Sequence, residues 1–342
     1  MQAIRSIGLC LLAFVTIRCS QDQSVETLPE LSPIPETARI IFHEDNYIYV
    51  MDEEGNHVTQ ITFDNPYVLE HVALSHDKTK VIANHFADPS RGGQSSRLLL
   101  YDLMQRTVTH LLPEFEMAGN GGVDWDHKGN IYFAGVAELP FPAAKTPEEF
   151  QANAGANDIY RVKFDGTDLQ NVTHTIERGE ADVSVSSDGR FISYMATNIV
   201  DVDSTFTEIW IRKTDGTSPE LLFVGGRDRV SSVHDPEISP SGDYIVFSQV
   251  NNNVSPVFPD DPLANTAHDI VKCNVGRDNH VMTLTQAGPI SIIPDWRNDK
   301  ILYLEITDKT SPPHAGLAII DQDGTGYKLI RNGANVGKWI PD

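Results

Sequence analysis

Four titratable residues of this chain stand at equivalent places in a repeated segment, and together they could do chemistry. His71, Asp182 and the adjacent pair His234 and Asp235 each lie at the start of one copy of a recurring strand. Histidine and carboxylate side chains that converge on one point can hold a metal ion or transfer protons. Equivalent positions converge only if the repeats surround a common axis, so the arrangement of the repeats decides whether these residues can act together.

Other catalytic signatures are missing from the sequence. It has no G-x-S-x-G nucleophile elbow, no P-loop, no dinucleotide fingerprint and no zinc-helix motif. Its twelve histidines show no clustered metal-ligand spacing, and we interpret four of them as structural because they fall on strands or turns: His43, His57, His110 and His174. Cys273 lies in an alternating strand pattern and is predicted to be buried without a disulfide partner. We therefore predict no catalytic residue.

A hairpin of an apolar strand, a polar turn and a second strand rich in β-branched and aromatic residues recurs along the chain. The full copies are Ala73–His85, Asp124–Gly135, Val183–Met195, Pro236–Ser248 and Pro294–Glu305, and Gly337–Asp342 is the front half of another. Self-similarity at this spacing indicates a repeat architecture.

A second hairpin accompanies each copy of the first. Its copies are Tyr47–Thr62, Leu98–Leu112, Asp158–Thr173, Glu208–Phe223, Asp269–Thr285 and Gly316–Ile330. Three carry Asp-Gly-Thr at the turn (Asp165–Thr167, Asp215–Thr217 and Asp323–Thr325), and Asp-Gly is a strong hairpin signal because glycine accepts a positive φ. The two hairpins form a unit of four strands, which we label a to d.

Six such units predict an all-β fold, a six-bladed β-propeller spanning residues 38–342. In the first blade the N-terminal part of the chain supplies only one strand of the first hairpin, Ala38–His43, which is strand b. Gly337–Asp342 would supply strand a of the same blade. Pairing of the N- and C-terminal strands would then close the ring and leave no open sheet edge.

The turns of the first hairpin resemble those of TolB-type six-bladed propellers with PD40 (WD40-like) repeats, whose turn reads Trp-Ser-Pro-Asp-Gly. The matching residues are Trp125–Gly129, Val185–Gly189, Ile238–Gly242, the shortened Trp296–Asp299, and Trp339–Asp342. The resemblance covers Ala38–Asp342 and implies the fold, whereas such repeats serve scaffolds, receptors and some enzymes. Oligogalacturonate lyases are also similar to TolB-type propellers and hold a metal with channel histidines.

The long insertions of the sequence all fall between strands b and c. They are Ala87–Ser96, Glu138–Asn157, Thr197–Thr207, Asn251–His268 and Asp308–Ala315. In a four-stranded meander the b–c connections share one face, and the start of each strand a opens onto that face. We therefore expect a binding face there, with His71, Asp182, His234 and Asp235 at the mouth of the channel.

The N-terminus has the pattern of a targeting segment. Arg5 precedes the apolar run Ile7–Ile17, which suits a secretory signal, and Cys19 follows it. This resembles a bacterial lipoprotein signal in which Cys19 would be lipidated, although Arg18 stands where that signal has a small residue. We predict a signal peptide at 1–19, a polar linker at 20–37, and export to the periplasm or outer membrane.

The formal net charge is −22, from 48 acidic and 26 basic residues. Phosphate backbones and anionic membranes need a basic footprint, so nucleic acid is excluded as a partner and the membrane is contacted only through the lipid anchor. We expect a monomer without a cofactor. Asp201–Thr205 and Asp260–Asp261 could offer oxygen ligands to Ca²⁺ or another divalent cation, although neither follows an EF-hand pattern.

Two functions are compatible with these patterns. The first is an exported, non-catalytic binding or scaffold protein that takes an envelope protein or peptide at its b–c loop face and channel mouth. The alternative is a metal-assisted carbohydrate-active enzyme of the oligogalacturonate lyase type, with its site at the channel mouth.

Overall fold

The computed structural model describes residues 34–62, 67–86, 96–113, 121–135, 157–175, 178–199, 205–225, 232–251, 267–276, 281–285, 289–308 and 314–341. The chain divides into two units, Met1–Glu30 and Leu31–Asp342, and the first lies outside the described residues. The predicted signal peptide, Cys19 and most of the predicted linker therefore lie outside them as well. No helix within the described ranges has the length and apolarity needed to cross a bilayer.

The described residues fold into five β-sheets, and in all but the first, which also includes the last strand, the strands are consecutive in the chain. Sheet I contains β1 (Ile40–Glu44), β2 (Tyr47–Met51), β3 (Thr59–Gln60) and β24 (Gly337–Trp339), in the order β24-β1-β2-β3. Sheet II contains β4 (Leu69–Leu74), β5 (Lys80–Phe86), β6 (Ser96–Asp102) and β7 (Thr107–Leu111). Sheet III contains β8 (Val123–Trp125), β9 (Asn130–Gly135), β10 (Asp158–Lys163) and β11 (Gln170–Asn171). Sheet IV contains β12 (Arg178–Val185), β13 (Phe191–Ile199), β14 (Thr205–Lys213) and β15 (Glu220–Val224).

Sheet V has eight strands. Its first meander is β16 (Val233–Ile238), β17 (Tyr244–Asn251), β18 (Ala267–Asn274) and β19 (Met282–Thr283). Its second meander is β20 (Ile290–Arg297), β21 (Lys300–Asp308), β22 (His314–Asp321) and β23 (Lys328–Asn332). The two are joined by one parallel residue pair between His268 and Ile290, so sheet V consists of two antiparallel meanders that touch at an edge.

Local turn chemistry sets the strand pairing. In the Asp165–Thr167 turn, Asp165 Oδ1 accepts hydrogen bonds from Thr167 N (2.9 Å) and Thr167 Oγ1 (2.6 Å), and Gly166 has a φ of +81°. The same pair of bonds recurs in the Asp215–Thr217 and Asp323–Thr325 turns. An aspartate that bonds its own backbone two residues later stabilises a tight turn. The hairpins predicted from Asp-Gly-Thr are confirmed.

Apolar side chains of neighbouring meanders pack against each other. Trp125 on β8 and Ala73 on β4 belong to one buried cluster, and the indole Nε1 of Trp125 donates to Ala73 O at 3.1 Å. Trp339 on β24 repeats this contact with Asp295 O on β20, also at 3.1 Å. Buried indoles need a partner for their N–H group, so each tryptophan fixes one meander against the preceding one.

The first and last strands of the described chain are neighbours. β24 pairs antiparallel with β1, with Ile41 opposite Lys338. Ile40 and Phe42 of β1 share a buried cluster with Leu302 and Leu317 of sheet V. Two ends that are far apart in sequence thus pack as one sheet and one core.

The structure changes one of the predicted insertions. The insertion predicted at Thr197–Thr207 is strand at both ends, because Thr197 pairs with Thr207 and Asn198 with Phe206 across β13 and β14. β-Branched threonines favour such extended pairing. The other predicted insertions lie mostly outside the described residues, as do positions 201–204 and 260–261 of the suggested cation ligands. Cys273 is buried on β18, as predicted.

Candidate functional site

Three first strands of the meanders carry a bulge at the same point. Their pairing shifts register between Ala181 and Ser184 on β12, between His234 and Glu237 on β16, and between Ile292 and Asp295 on β20. At each bulge one residue takes a left-handed backbone: Asp182 (φ 53°), Asp235 (φ 52°) and Ile293 (φ 56°). Aspartate tolerates this conformation, whereas a β-branched residue is strained in it. Bulges redirect side chains, and here they aim the strand starts into one cavity.

The cavity has a volume of about 760 Å³ and lies between the strand starts. His71, Asp182, His234 and Asp235, here called the mouth cluster, all line it. They come from β4, β12 and β16, so the structure brings together all four residues that the sequence singled out. A cavity of this size holds a small molecule or a few side chains of a partner.

His234 and Asp235 form the charged pair of the mouth cluster. Asp235 Oδ2 accepts hydrogen bonds from His234 Nδ1 (2.6 Å), Ser248 Oγ (3.0 Å) and Ile293 N (3.2 Å). Burial raises the pKa of Asp235, but His234, His71 and Ser248 together lower it more, so the net pKa lies below its usual value. Burial lowers the pKa of His234, but Asp235 and Asp182 together raise it more, so the net pKa lies above 6.5. Each member of the pair thus favours the charged form of the other.

The other two residues of the mouth cluster are neutral at neutral pH. Burial and the nearby charge of Asp235 raise the pKa of Asp182 to about 8. Burial lowers the pKa of His71 to about 4. A protonated carboxyl group beside an ionised one is an arrangement that can donate and accept protons.

We expect a histidine titration to show this pattern. NMR of ring-labelled protein should show His234 titrating above its usual pKa of 6.5 and His71 near 4. Asp235→Asn should move the pKa of His234 below 6.5, because the substitution leaves burial as its largest influence. Asp45→Asn, on an exposed turn, is the control and should leave both histidines unchanged. A pKa of 6.5 or lower for His234 in the unmodified protein would contradict the assignment.

A hydrogen-bonded group of buried residues supports the cavity wall. Glu70 Oε2 accepts from Ser96 Oγ (2.7 Å) and Asn84 Nδ2 (3.2 Å), and Asn84 Oδ1 accepts from His71 N (2.8 Å). His43 Nε2 lies 3.0 Å from Glu70 O, and burial lowers the pKa of His43 to about 4. His43 also lines the cavity, and its burial and its contact with a backbone oxygen are compatible with the structural role expected from the sequence.

A second cluster lies on the first strands of four meanders, two residues beyond the repeat position of the mouth cluster. It contains Asp124 of β8, Glu237 of β16, Asp295 of β20 and Lys338 of β24, and we call it the inner cluster. Lys338 Nζ lies 2.9 Å from Asp124 Oδ2, and their side chains are only 13% and 18% exposed. Glu237 accepts from Ser184 Oγ, and Asp295 accepts from Trp339 N.

The inner cluster balances one lysine against three carboxyl groups. Burial lowers the pKa of Lys338, but Asp124, Asp295 and Glu237 raise it more, so the lysine stays charged. Burial, opposed by Lys338, raises the pKa of Asp295 to about 6. Burial and Asp295 raise the pKa of Glu237 well above its usual value. One signal could have found these residues in the sequence, since each occupies the same place in its repeat.

Metal binding has no support from a complete ligand set in the described residues. No group of three or more histidine, cysteine, aspartate or glutamate side chains there is arranged to hold a metal ion. The possible divalent cation therefore stays a sequence-based prediction.

Comparison with solved structures identifies the fold. The nidogen propeller of a nidogen/laminin complex superposes with a TM-score of 0.60 at 10% identity, over 88% of this chain and 98% of that one. A prolyl endopeptidase superposes at 0.50 and 10% identity, over 86% of this chain and 42% of the peptidase. An oligogalacturonate lyase from Vibrio parahaemolyticus superposes with a TM-score of 0.49 at 12% identity, over 78% of this chain and 70% of the lyase.

At such identities the likeness shows the fold alone, which is a β-propeller. The all-β prediction is confirmed. No model of a protein family matches the sequence, and no curated protein matches it either.

Proposed function

We propose that this chain is a TolB-like six-bladed propeller, exported to the periplasm or outer membrane, that binds an envelope protein or peptide and catalyses nothing. Lipidation of Cys19 would anchor it. The TolB-like assignment is supported by the turn residues quoted above, and export by the apolar run before Cys19.

Packing of the chain ends supports the closed six-bladed ring. Each of the six described apolar clusters joins neighbouring meanders, and the cluster around Phe42 and Leu317 joins the last meander to the first. The pairing of β24 with β1 gives the first meander its fourth strand. A ring closed in this way exposes no unpaired edge at the junction of the termini.

The observation that carries the binding function is the cavity lined by the mouth cluster. Its wall combines charged groups with apolar side chains such as Leu69, Met195 and Leu304. Binding sites usually pair an apolar surface with a few convergent polar groups. The described lining residues include no serine, cysteine or lysine, and binding needs no activated group at all.

A site-specific crosslink tests this function. A photoreactive amino acid at Thr197, which lines the cavity, should give one defined adduct with an envelope protein in cells that export the full chain. Val108, exposed on β7, is the control position and should not give that adduct. Leu304→Trp, which fills the cavity, should remove the Thr197 adduct in protein that unfolds at the normal temperature. The same adduct from both positions, or none from Thr197, would overturn the proposal.

A second candidate is the metal-assisted carbohydrate-active enzyme. The observation in its favour is the opposite protonation of Asp182 and Asp235 in one cavity. Incubation with polygalacturonate and Mn²⁺ should then release unsaturated products, and Asp182→Asn should abolish them. No product with any divalent cation would remove this candidate.

A further inference from the structure

Glu180 is a buried acid on the cavity wall that the functions above do not use. It is 1% exposed, lies on β12 and lines the same cavity as the mouth cluster. Its Oε1 accepts a hydrogen bond from Thr175 Oγ1 at 2.9 Å, whereas Oε2 has no hydrogen-bond partner in the described part of the chain. A buried carboxylate oxygen without a partner costs free energy, and a bound cation is one of the groups that can satisfy it.

The charge of the cavity wall favours a cation. Four carboxyl groups line it, those of Glu70, Glu180, Asp182 and Asp235. Among the described lining residues His234 is the base whose pKa is raised, and it is already paired with Asp235. The other lining histidines, His43 and His71, are neutral because burial lowers the pKa of each to about 4.

Apolar side chains form much of the rest of the wall. They are those of Leu69, Met195, Ile292, Ile293, Leu304 and Val336, and the uncharged polar residues Asn157, Thr197 and Asn335 lie among them. A ligand that satisfies both kinds of surface has a cationic head and an aliphatic stem, because the stem buries apolar area while the head meets the acids.

We propose that the cavity binds a primary ammonium group on an aliphatic stem, with Glu180 and Asp182 as its counter-ions. This inference rests on the proposed function, since it assumes that the cavity is the binding site. Two sources share this chemistry, the lysine side chain of a partner protein and a free alkylamine.

Binding should release protons. Glu180 faces Thr173, Thr175, Asp158 and Arg212, and burial raises its pKa to about 7. Arg212 is directed at backbone oxygens, because its Nη1 donates to Val172 O and Thr173 O. Asp182 faces Asp235 and His234. An ammonium group beside Glu180 and Asp182 stabilises their ionised forms, so the protons leave and affinity increases with pH.

Titration calorimetry on the full chain tests this proposal with three probes. They are n-butylammonium, the peptide acetyl-Gly-Lys-Gly-amide, and the same peptide with its lysine acetylated. We expect the lysine peptide to bind, the acetylated peptide to fail, and affinity to rise about tenfold from pH 6 to pH 8. The measured enthalpy should vary with the ionisation enthalpy of the buffer, which reports proton release. Butylammonium binding adds free amines to the possible sources, whereas binding of the lysine peptide alone assigns the site to a protein partner.

Isosteric variants identify the counter-ions. Glu180→Gln and Asp182→Asn should each weaken binding of the lysine peptide about tenfold and reduce the proton release. Asp45→Asn has the same left-handed backbone (φ 49°) on an exposed turn and should change neither. The unfolding temperature of each variant should be no lower than that of the unmodified protein, which would show that the variant is folded.

The inference would be overturned by equal binding of the acetylated and unmodified peptides, by undiminished binding to the Glu180→Gln/Asp182→Asn double variant, or by the absence of binding of either amine. If the Thr197 crosslink forms and neither amine binds, the ammonium inference fails while the proposed function stands. If butylammonium binds and no crosslink forms, the cavity chemistry stands and the protein partner is wrong.

Discussion

Replacing Lys338 with methionine is expected to lower the free energy of unfolding by about 4 kcal/mol. Lys338 is the basic member of the inner cluster, and its Nζ lies 2.9 Å from Asp124 Oδ2. Methionine keeps most of the side-chain volume but leaves Asp124, Asp295 and Glu237 facing one another without a cation. Removing one partner of a buried ion pair costs far more than the pair itself contributes, because an uncompensated charge stays buried.

Urea unfolding of the full chain at neutral pH measures this loss. Lys328→Met, an exposed position on β23, is the control and should stay within about 0.5 kcal/mol of the unmodified protein. Adding Asp124→Asn to Lys338→Met should recover part of the loss, since it removes one of the unpaired carboxylates. The penalty should also shrink below about pH 6, where Asp295 takes up a proton. A loss below about 1 kcal/mol for Lys338→Met would contradict the role of the inner cluster.

Asp182→Asn is expected to stabilise the protein at high pH. The pKa of Asp182 is raised in the folded state to about 8 from an ordinary value of 3.8. Below about pH 4 both states hold the proton, and the substitution should change little. Between these values the unfolded state releases the proton and the folded state keeps it, so the stability of the unmodified protein falls as the pH rises. Asparagine titrates in neither state, so the variant should lack this fall.

At about pH 9 the variant should exceed the unmodified protein by about 3 kcal/mol. This is roughly half of the free energy equivalent to the pKa displacement, because Asp182 is partly open to the cavity and solvent screens its charge. Asparagine accepts the φ of +53° without strain, so no backbone cost masks the effect. Asp45→Asn, with the same backbone on an exposed turn, should show no such gain. If the difference in free energy of unfolding between Asp182→Asn and the unmodified protein is the same at about pH 5 and pH 9, Asp182 ionises normally.

Sequence reasoning reached the position of the mouth cluster but not its chemistry. The alignment of repeats identified His71, Asp182, His234 and Asp235 as equivalent residues, and the structure places them on one cavity. Whether they bind a ligand stays a prediction. Their protonation could not be read from the alignment, because burial and neighbouring charges decide which of two aspartates is ionised.

Glu180, His43 and the inner cluster were missed for a related reason. His43 falls on an ordinary strand, and its approach to Glu70 depends on how sheet I packs against sheet II. Glu180 has a partnerless oxygen only because of where β12 lies in the fold. Asp124 and Lys338 are 214 positions apart in sequence, and although they share a place in the repeat, only the fold brings their side chains into contact.

The all-β class, the recurring hairpins and the positions of the Asp-Gly-Thr turns could be predicted from the amino-acid sequence alone. They follow from side-chain alternation and from turn residues, whose effects extend over only a few positions. Only the tertiary structure decided that bulges at Asp182, Asp235 and Ile293 turn the strand starts into one cavity. It also decided that Lys338 neutralises acids from distant strands. Both depend on non-local packing and on the loss of water around charges, which no local sequence pattern encodes.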